Sequence, residues 1–352
     1  MPLSCLQANT RLNALNILKE EFLKYLELAQ TGATTPAEAK DALERAKQLK
    51  IELESGMAEL SRELVVEITV HHALNPYAEA LKEAGLPADH PECAEQKEMI
   101  FNLDTVIERN CARYTEQNLS EWTTDIQNNK DQLIEAVSTP EEMKKIEKRM
   151  LAGMIPIVMP GRQAQMKKWD ESLKNLKPEW IENGKPKVVE NSFIDTNKYN
   201  EKMTDPTTDP ANSFFRSVPD RPYIVWTKPT TEPDPGTTLL DYDQQKEELT
   251  KLHKEKPDLY DDTDLIPTEY AALQSLHTQE VQEQYTKHNP SHLPQNLTPL
   301  DKSGYTRFIS SGLFSDGTAP CALFLTGDSR LHFSKSDVEA RSRVGFRPAA
   351  RS

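Results

Sequence analysis

The chain has too few cysteines, set too far apart, to build a covalent or metal framework. Cys5, Cys93, Cys111 and Cys321 include no CxxC pair, which excludes a zinc knuckle of ordinary spacing and a disulfide scaffold and favours reduced thiols. A basic surplus is also missing. The formal charge is −14, and a general nucleic-acid binder needs concentrated Lys and Arg to displace counterions from phosphates. No run approaches 18 apolar residues, and MPLSCLQANTRLNALNILKEEF has no basic start, apolar stretch and small-residue cleavage site. A soluble, cytoplasmic protein without a membrane partner is the expectation. Glycine is scarce too, and five of the twelve, from Gly304 to Gly345, fall in Ser303–Ala349. Short apolar runs separated by these glycines predict strands and turns. From Ser329 onward six basic residues oppose two acidic ones, a local +4 that leaves −18 elsewhere and points to a basic patch docked on an acidic remainder.

What is present divides the chain in three. Residues 1–153 predict a helical bundle or arm. Leu12, Leu15, Leu18, Phe22, Tyr25 and Leu26 recur at helical spacing, and Thr35, Pro36 and Glu38 form a capping box. The helix it opens is expected to reach about Val70, with Leu49, Ile51, Leu53, Met57, Leu60 and Leu64 as its apolar face. Asn75–Pro76 and His90–Pro91 mark further helix starts, the second leading through EMIFNLDTVIERNCARY, and Thr139–Pro140 opens another. IPIVMPG reads as a strand or an extended segment. Residues 154–220 form an irregular proline-rich connector containing TDPTTDP, with Trp180, Phe214 and Phe215 as its few buried side chains. Residues 221–352 predict an α+β domain in which PYIVWT is a strand, DYDQQKEELTKLHKEK and IPTEYAALQSLHTQEVQEQYTKH are helices, and TRFISSG, PCALFLTG, RLHFS and VGFRPA are short strands. The fold class is α+β: an all-α N-terminal region, then a small mixed sheet with two helices.

That order, with Ile266-Pro267-Thr268-Glu269-Tyr270 as a helix opening and Gly345-Phe346-Arg347 in a final strand after the Gly327-Asp328-Ser329-Arg330 turn, resembles the C-type-lectin-like fold of the formylglycine-generating-enzyme and sulfatase-modifying group. The resemblance spans about 221–350. It implies the lectin-like topology, but the oxidases of that group need two active-site cysteines to hold copper, and Cys321 is the only cysteine after Cys111. The calcium-dependent lectins carry paired acid and amide ligands that SSGLFSDGTAP lacks. No cofactor is therefore implied, and fold alone does not carry function. The tail is also similar to those of uncharacterised bacterial proteins of unknown function.

Several residues are candidates for chemistry. Asp258, Asp261, Asp262 and Asp264 offer oxygen ligands without the spacing of an EF-hand, and are expected to form a solvated, helix-capping turn. His288 and His292 stand four apart with Asn289 and Pro290 between them. Cys321, in an apolar run, behaves as a small hydrophobe unless nearby arginines lower its pKa, and His332 lies on a strand as a hydrogen-bonded structural residue. Arg347 is expected to hold the last strand through a buried pair with Asp316 or Asp328. The leading expectation is a non-catalytic binding protein, taking a protein or small ligand on loops that include Ser315, Asp316, Asp328 and Arg330. The alternatives are an enzyme built on Cys321 or His332, and an assembly protein that forms a homo-oligomer through its N-terminal helices.

Overall fold

A computed structural model of the protein describes residues 5–33, 35–63, 66–94, 96–167, 169–177, 179–188, 192–193, 196–202, 213–301, 304–310, 312–325 and 330–352. Compactness divides the chain into Met1–Val66 and Glu67–Ser352.

The first unit is a pair of helices, α1 (Cys5–Glu27) and α2 (Pro36–Glu63), joined by a π turn at Leu28–Gly32. Thr35 accepts the Glu38 amide at 3.2 Å, as its spacing predicts. Leu15, Ala42, Ala46 and Leu49 are buried, but Ile51 and Met57, expected on the apolar face, are exposed. A Cβ on Gly56 would stand 2.6 Å from Leu15 Cδ2. Here the absence of a side chain permits close approach, at a cost in helix propensity of about 1 kcal/mol.

The second unit is mixed α and β from its first residues. Residues expected to extend α2 instead form β1 (Glu67–Leu74), which pairs antiparallel with β2 (Gln96–Asn102), with α3 (Ala78–Glu83) between them. The expectation of helix fails here because Ile68, Thr69 and Val70 are β-branched and find a partner strand. His90–Pro91 opens only a 3-10 turn at Pro91–Cys93. The helix cap is Asn102, which accepts the Thr105 amide at 3.1 Å and starts α4 (Leu103–Glu116). There follow α5 (Ser120–Asn128), α6 (Lys130–Val137) and α7 (Pro140–Leu151), the last capped by Thr139.

The segment 154–220 is more ordered than its composition predicts. It contains β3 (Ile155–Met159), α8 (Arg162–Met166), α9 (Trp169–Asn175), β4 (Glu179–Glu182), β5 (Lys185–Val188), β6 (Ser192–Phe193) and α10 (Thr196–Lys202). Trp180, Phe214 and Phe215 are buried as expected, and so are Leu173, Leu176, Ile181 and Tyr199. The TDPTTDP run lies outside the described residues.

Both expected C-terminal helices are present. They are α11 (Tyr242–Glu255), closed by a reciprocal Asp241–Gln244 capping box, and α12 (Pro267–His288). They are flanked by β7 (Tyr223–Thr227), β8 (Thr263–Asp264) and β9 (Asn296–Leu297). The final strands are β10 (Tyr305–Arg307), β11 (Ala319–Leu325), β12 (Arg330–Ser336), β13 (Val344–Gly345) and β14 (Pro348–Arg351). They do not make one sheet. VGFRPA splits between a mixed sheet ordered β13-β10-β11-β12-β6 and a second sheet ordered β3-β7-β14-β8. A Cβ on Gly345 would lie 2.5 Å from Thr237 Oγ1 and 2.9 Å from Pro233 Cβ, so only glycine lets the chain pass at that crossing. β7, buried at every residue, is the centre of the second sheet.

Candidate functional site

A cleft of about 450 Å³ opens in the second unit between β2, α4, the start of β3 and the C-terminal half of α12. Tyr114 on α4 donates to the Val158 carbonyl at 2.8 Å, and Asn110 accepts the Val158 amide at 2.8 Å, so α4 is locked onto β3. That lock presents Val106 and Arg109 to the cleft. The apolar floor includes Phe101 and Trp226, whose ring centroids are 5.4 Å apart, together with Ile155 and Met154. The Trp226 indole N–H is held by Ser352 Oγ at 3.1 Å. Large flat rings with their polar edge already satisfied make a rigid contact surface.

The polar wall comes from α12. Glu280 and Gln284 are one turn apart and share a face. Glu280 pairs with Arg109, and Gln284 Nε2 donates to Glu280 Oε1 at 3.2 Å. The other end of that amide is enclosed: Gln284 Oε1 is buried and has no hydrogen-bond partner. On the opposite rim Lys97 is paired with Glu92 at 3.2 Å, Glu98 faces His71 at 3.4 Å, and Glu67 accepts from Asn102 Nδ2 at 3.1 Å. The cations of the cleft are therefore engaged, while acceptor capacity remains.

One turn back along α12 stands His277, 1% exposed, with neither ring nitrogen hydrogen-bonded. Its ring centroid lies 5.6 Å from that of Tyr77. Burial, aided by the charge of Arg347, depresses its pKa to about 3.

The N-terminal half of α12 is the opposite. Glu269 accepts two hydrogen bonds from Arg351, each 2.8 Å, one from Tyr223 at 2.8 Å and one from the Ile266 amide at 3.0 Å. Burial acts to lower the Arg351 pKa, but Glu269 outweighs it and holds the guanidinium charged. Arg347 also makes a buried pair, with its side chain 2% exposed and that of its partner 0%. The partner is Asp301, at 2.6 Å, whereas Asp316 pairs with Lys335 and Asp328 lies outside the described residues. Asp301 also accepts from Tyr270 at 2.7 Å and Thr306 at 2.6 Å, while Arg347 donates to the Thr230 carbonyl and hydroxyl at 2.9 and 3.0 Å. The expected tie of the last strand exists with a different acid. Asp301 sits at a left-handed turn residue, φ 56°, between β9 and β10, and 46 residues separate it from Arg347.

The predicted site residues do not converge. Cys321 is fully buried, and burial, opposed by Arg307, raises its pKa to about 12. His332 is buried in β12 opposite Leu323, and Cys321 stands opposite Ser334. Asp264 turns inward to accept from the Ile309 and Ser310 amides at 2.6 and 2.9 Å. Asp261 accepts the Arg351 amide at 2.7 Å, Asp262 is exposed, and among the described residues no group of three metal-type ligands occurs. Ser315 and Asp316 form an exposed turn, in which Asp316 accepts from Thr318 N and Oγ1 and is paired with Lys335. Arg330 begins β12, and Asp328 lies outside the described residues. His288 contacts His90, ring centroids 4.5 Å apart, and Glu92 at 3.6 Å, away from any pairing with His292. The cleft itself was missed because residues 96–102 read as the start of a helix. The alternation in EMIFN before the Asn102 cap was the available signal.

No protein-family model matches the chain, and no curated protein or solved structure matches it significantly. Among the described residues no helix is long and apolar enough to cross a membrane.

Proposed function

We propose that the protein is a non-catalytic binding protein whose main contact site is the cleft between β2, α4 and α12. One observation carries this reading. The cleft joins a rigid apolar floor to polar groups with unused acceptor capacity, whereas the buried carboxylates of Asp264, Glu269 and Asp301 are satisfied from within the fold. Apolar concavity with a few directed polar groups is what a ligand site requires. The high pKa of Cys321 supports binding over thiol chemistry, since the thiolate is the nucleophile. The turn at Ser315 and Asp316 offers a second, convex surface for the same activity, and a protein or small ligand suits either. The acidic charge of the chain supports a partner other than nucleic acid. A lectin-like ancestry for 221–352 is supported by the order β7, α11, α12 and then strands.

Saturation-transfer NMR with a library of small aromatic amines tests the cleft directly. Thr105 is exposed on its rim, so Thr105→Trp blocks the opening without disturbing the core. Hits on the parent protein that disappear in Thr105→Trp are expected, and hits unaffected by the block would sink the reading.

A second reading, assembly through α1 and α2, is favoured by the exposure of Ile17, Leu23, Leu43, Ile51 and Met57. Light scattering of the full chain against one lacking 1–66 would show a fall in association state if these helices drive it, and an unchanged state per chain if they do not.

A further inference from the structure

β2 lines the cleft with six consecutive residues, Lys97 to Asn102. Successive side chains of a strand point to opposite faces. A groove touched by every residue in turn therefore follows the strand's edge and not one of its faces. Among the described residues β2 is an edge, since the one strand that pairs with it is β1. The opposite side of that ribbon is differently placed, because β1 packs against α7 and Leu74 Cβ lies 3.1 Å from where a side chain on Gly153 would begin. An edge strand presents alternate N–H and C=O groups outward, ready to pair with another segment. Natural edges are commonly blunted by proline or by an inward charge. This one carries Lys97, already paired with Glu92, and Glu98, and also presents Ile100, 61% exposed, beside the groove.

The charges select the occupant. Arg109 and Lys97 are engaged with Glu280 and Glu92, while Gln284 Oε1 is unpartnered and Glu67 and Glu98 stand on the rim without a lysine or arginine partner among the described contacts. The site therefore has acceptors to offer and lacks free donors. Resting on the binding function proposed above, we infer that the ligand is an extended peptide segment of a partner protein, added as a third strand to β2. Its alternate apolar side chains lie alongside Ile100, and a lysine or arginine reaches the rim carboxylates of Glu67 and Glu98. Main-chain pairing supplies affinity and the groove supplies selectivity, as in other strand-addition complexes.

The test uses the full chain. A phage-displayed library of random twelve-residue peptides is selected on the immobilised protein, and the enriched peptides are synthesised in ordinary form and N-methylated at every second residue. The expected result is enrichment of sequences that alternate apolar residues and include a lysine or arginine, binding weakened by about tenfold or more in one N-methylation phase and little in the other, and slowed amide exchange at 96–102. Glu98→Gln is expected to weaken the basic peptides selectively over analogues with that base replaced by norleucine. Peptides indifferent to N-methylation in both phases overturn strand addition. If such peptides still lose binding in Thr105→Trp, the cleft remains the site and only the strand geometry falls. If they do not, both readings fall. Enrichment of no peptide above an uncoated-surface control also overturns the inference.

Discussion

The two halves of α12 were built from the same kinds of residue and met opposite fates. In the first half Glu269, Tyr270, Gln274 and Ser275 are buried and each has a partner: Arg351, Asp301, the Leu300 backbone and Arg113. From His277 onward the pattern changes: His277 has none, and Gln279 Oε1 and Gln284 Oε1 are buried without one. The first half is where the C-terminal strands return and deliver their arginines. The later stretch borders the cleft, where Arg109 of α4 answers Glu280 and the Tyr77 ring lies beside His277 without a hydrogen bond to it. A buried polar group left unpaired costs about 1–3 kcal/mol, so the contrast separates a region that holds the fold from one that gives up stability beside an open site.

The largest effect is expected from breaking the satisfied half. Arg347→Ala leaves Asp301 buried without its cation and should lower unfolding free energy by about 3–5 kcal/mol. Denaturant titration checks this, and an unchanged midpoint would refute the tie. Asp301→Asn added to Arg347→Ala should cost far less than it does alone, because the two share one interaction.

Next in size is His277→Phe. The ring contact with Tyr77 can be kept while two unpartnered nitrogens are removed, so a gain of about 1–2 kcal/mol is expected. The gain has a pH signature. A histidine held to about 3 when folded, against about 6.5 in the open chain, binds fewer protons when folded throughout that window. The parent protein therefore loses stability as pH falls from about 6.5, and the advantage of His277→Phe should widen on acidification. A constant difference from pH 7 to 4.5 would count against this account.

Asp264 should give the opposite sign. Burial raises its pKa to about 6 although three donors at its oxygens pull the other way. The folded state binds the extra proton between the ordinary aspartate range and about pH 6, so this group contributes stability at low pH that is lost as pH rises through about 6. Thermal melts of Asp264→Asn across pH 4 to 7 should lack that contribution. The smallest effect belongs to Gln284→Leu, which removes an unpartnered carbonyl from the cleft wall and should change unfolding free energy by less than about 1 kcal/mol. A large loss there would mean that Gln284 holds the fold and is not a free wall of the site.

Much of the architecture was legible wherever a local signal was strong. Thr35 and Thr139 cap helices where their spacing places them. Pro267 opens α12, and the β-branched run at Tyr223–Thr227 is a buried strand. The failures came where pairing between distant segments overruled local preference. Glu67–Leu74 became a strand because Gln96–Asn102 was available to pair with it. The connector gained order because Ile155–Met159 lies against Tyr223–Thr227 and Ser192–Phe193 against His332–Phe333. The cleft was illegible for the same reason, since its walls come from five segments spread between Glu67 and Gln284.

By itself, the sequence determined several helix starts, the strand-rich final third, and the need to neutralise Arg347 inside the fold. Those follow from backbone preference and from the cost of burying a charge alone, which act wherever the residue sits. Only the tertiary structure decided that Asp301 answers Arg347, that VGFRPA serves two sheets, and that β2 keeps an open edge beside Trp226. These are matters of which surfaces meet, and burial and hydrogen bonding reward a meeting regardless of the distance along the chain that separates its partners.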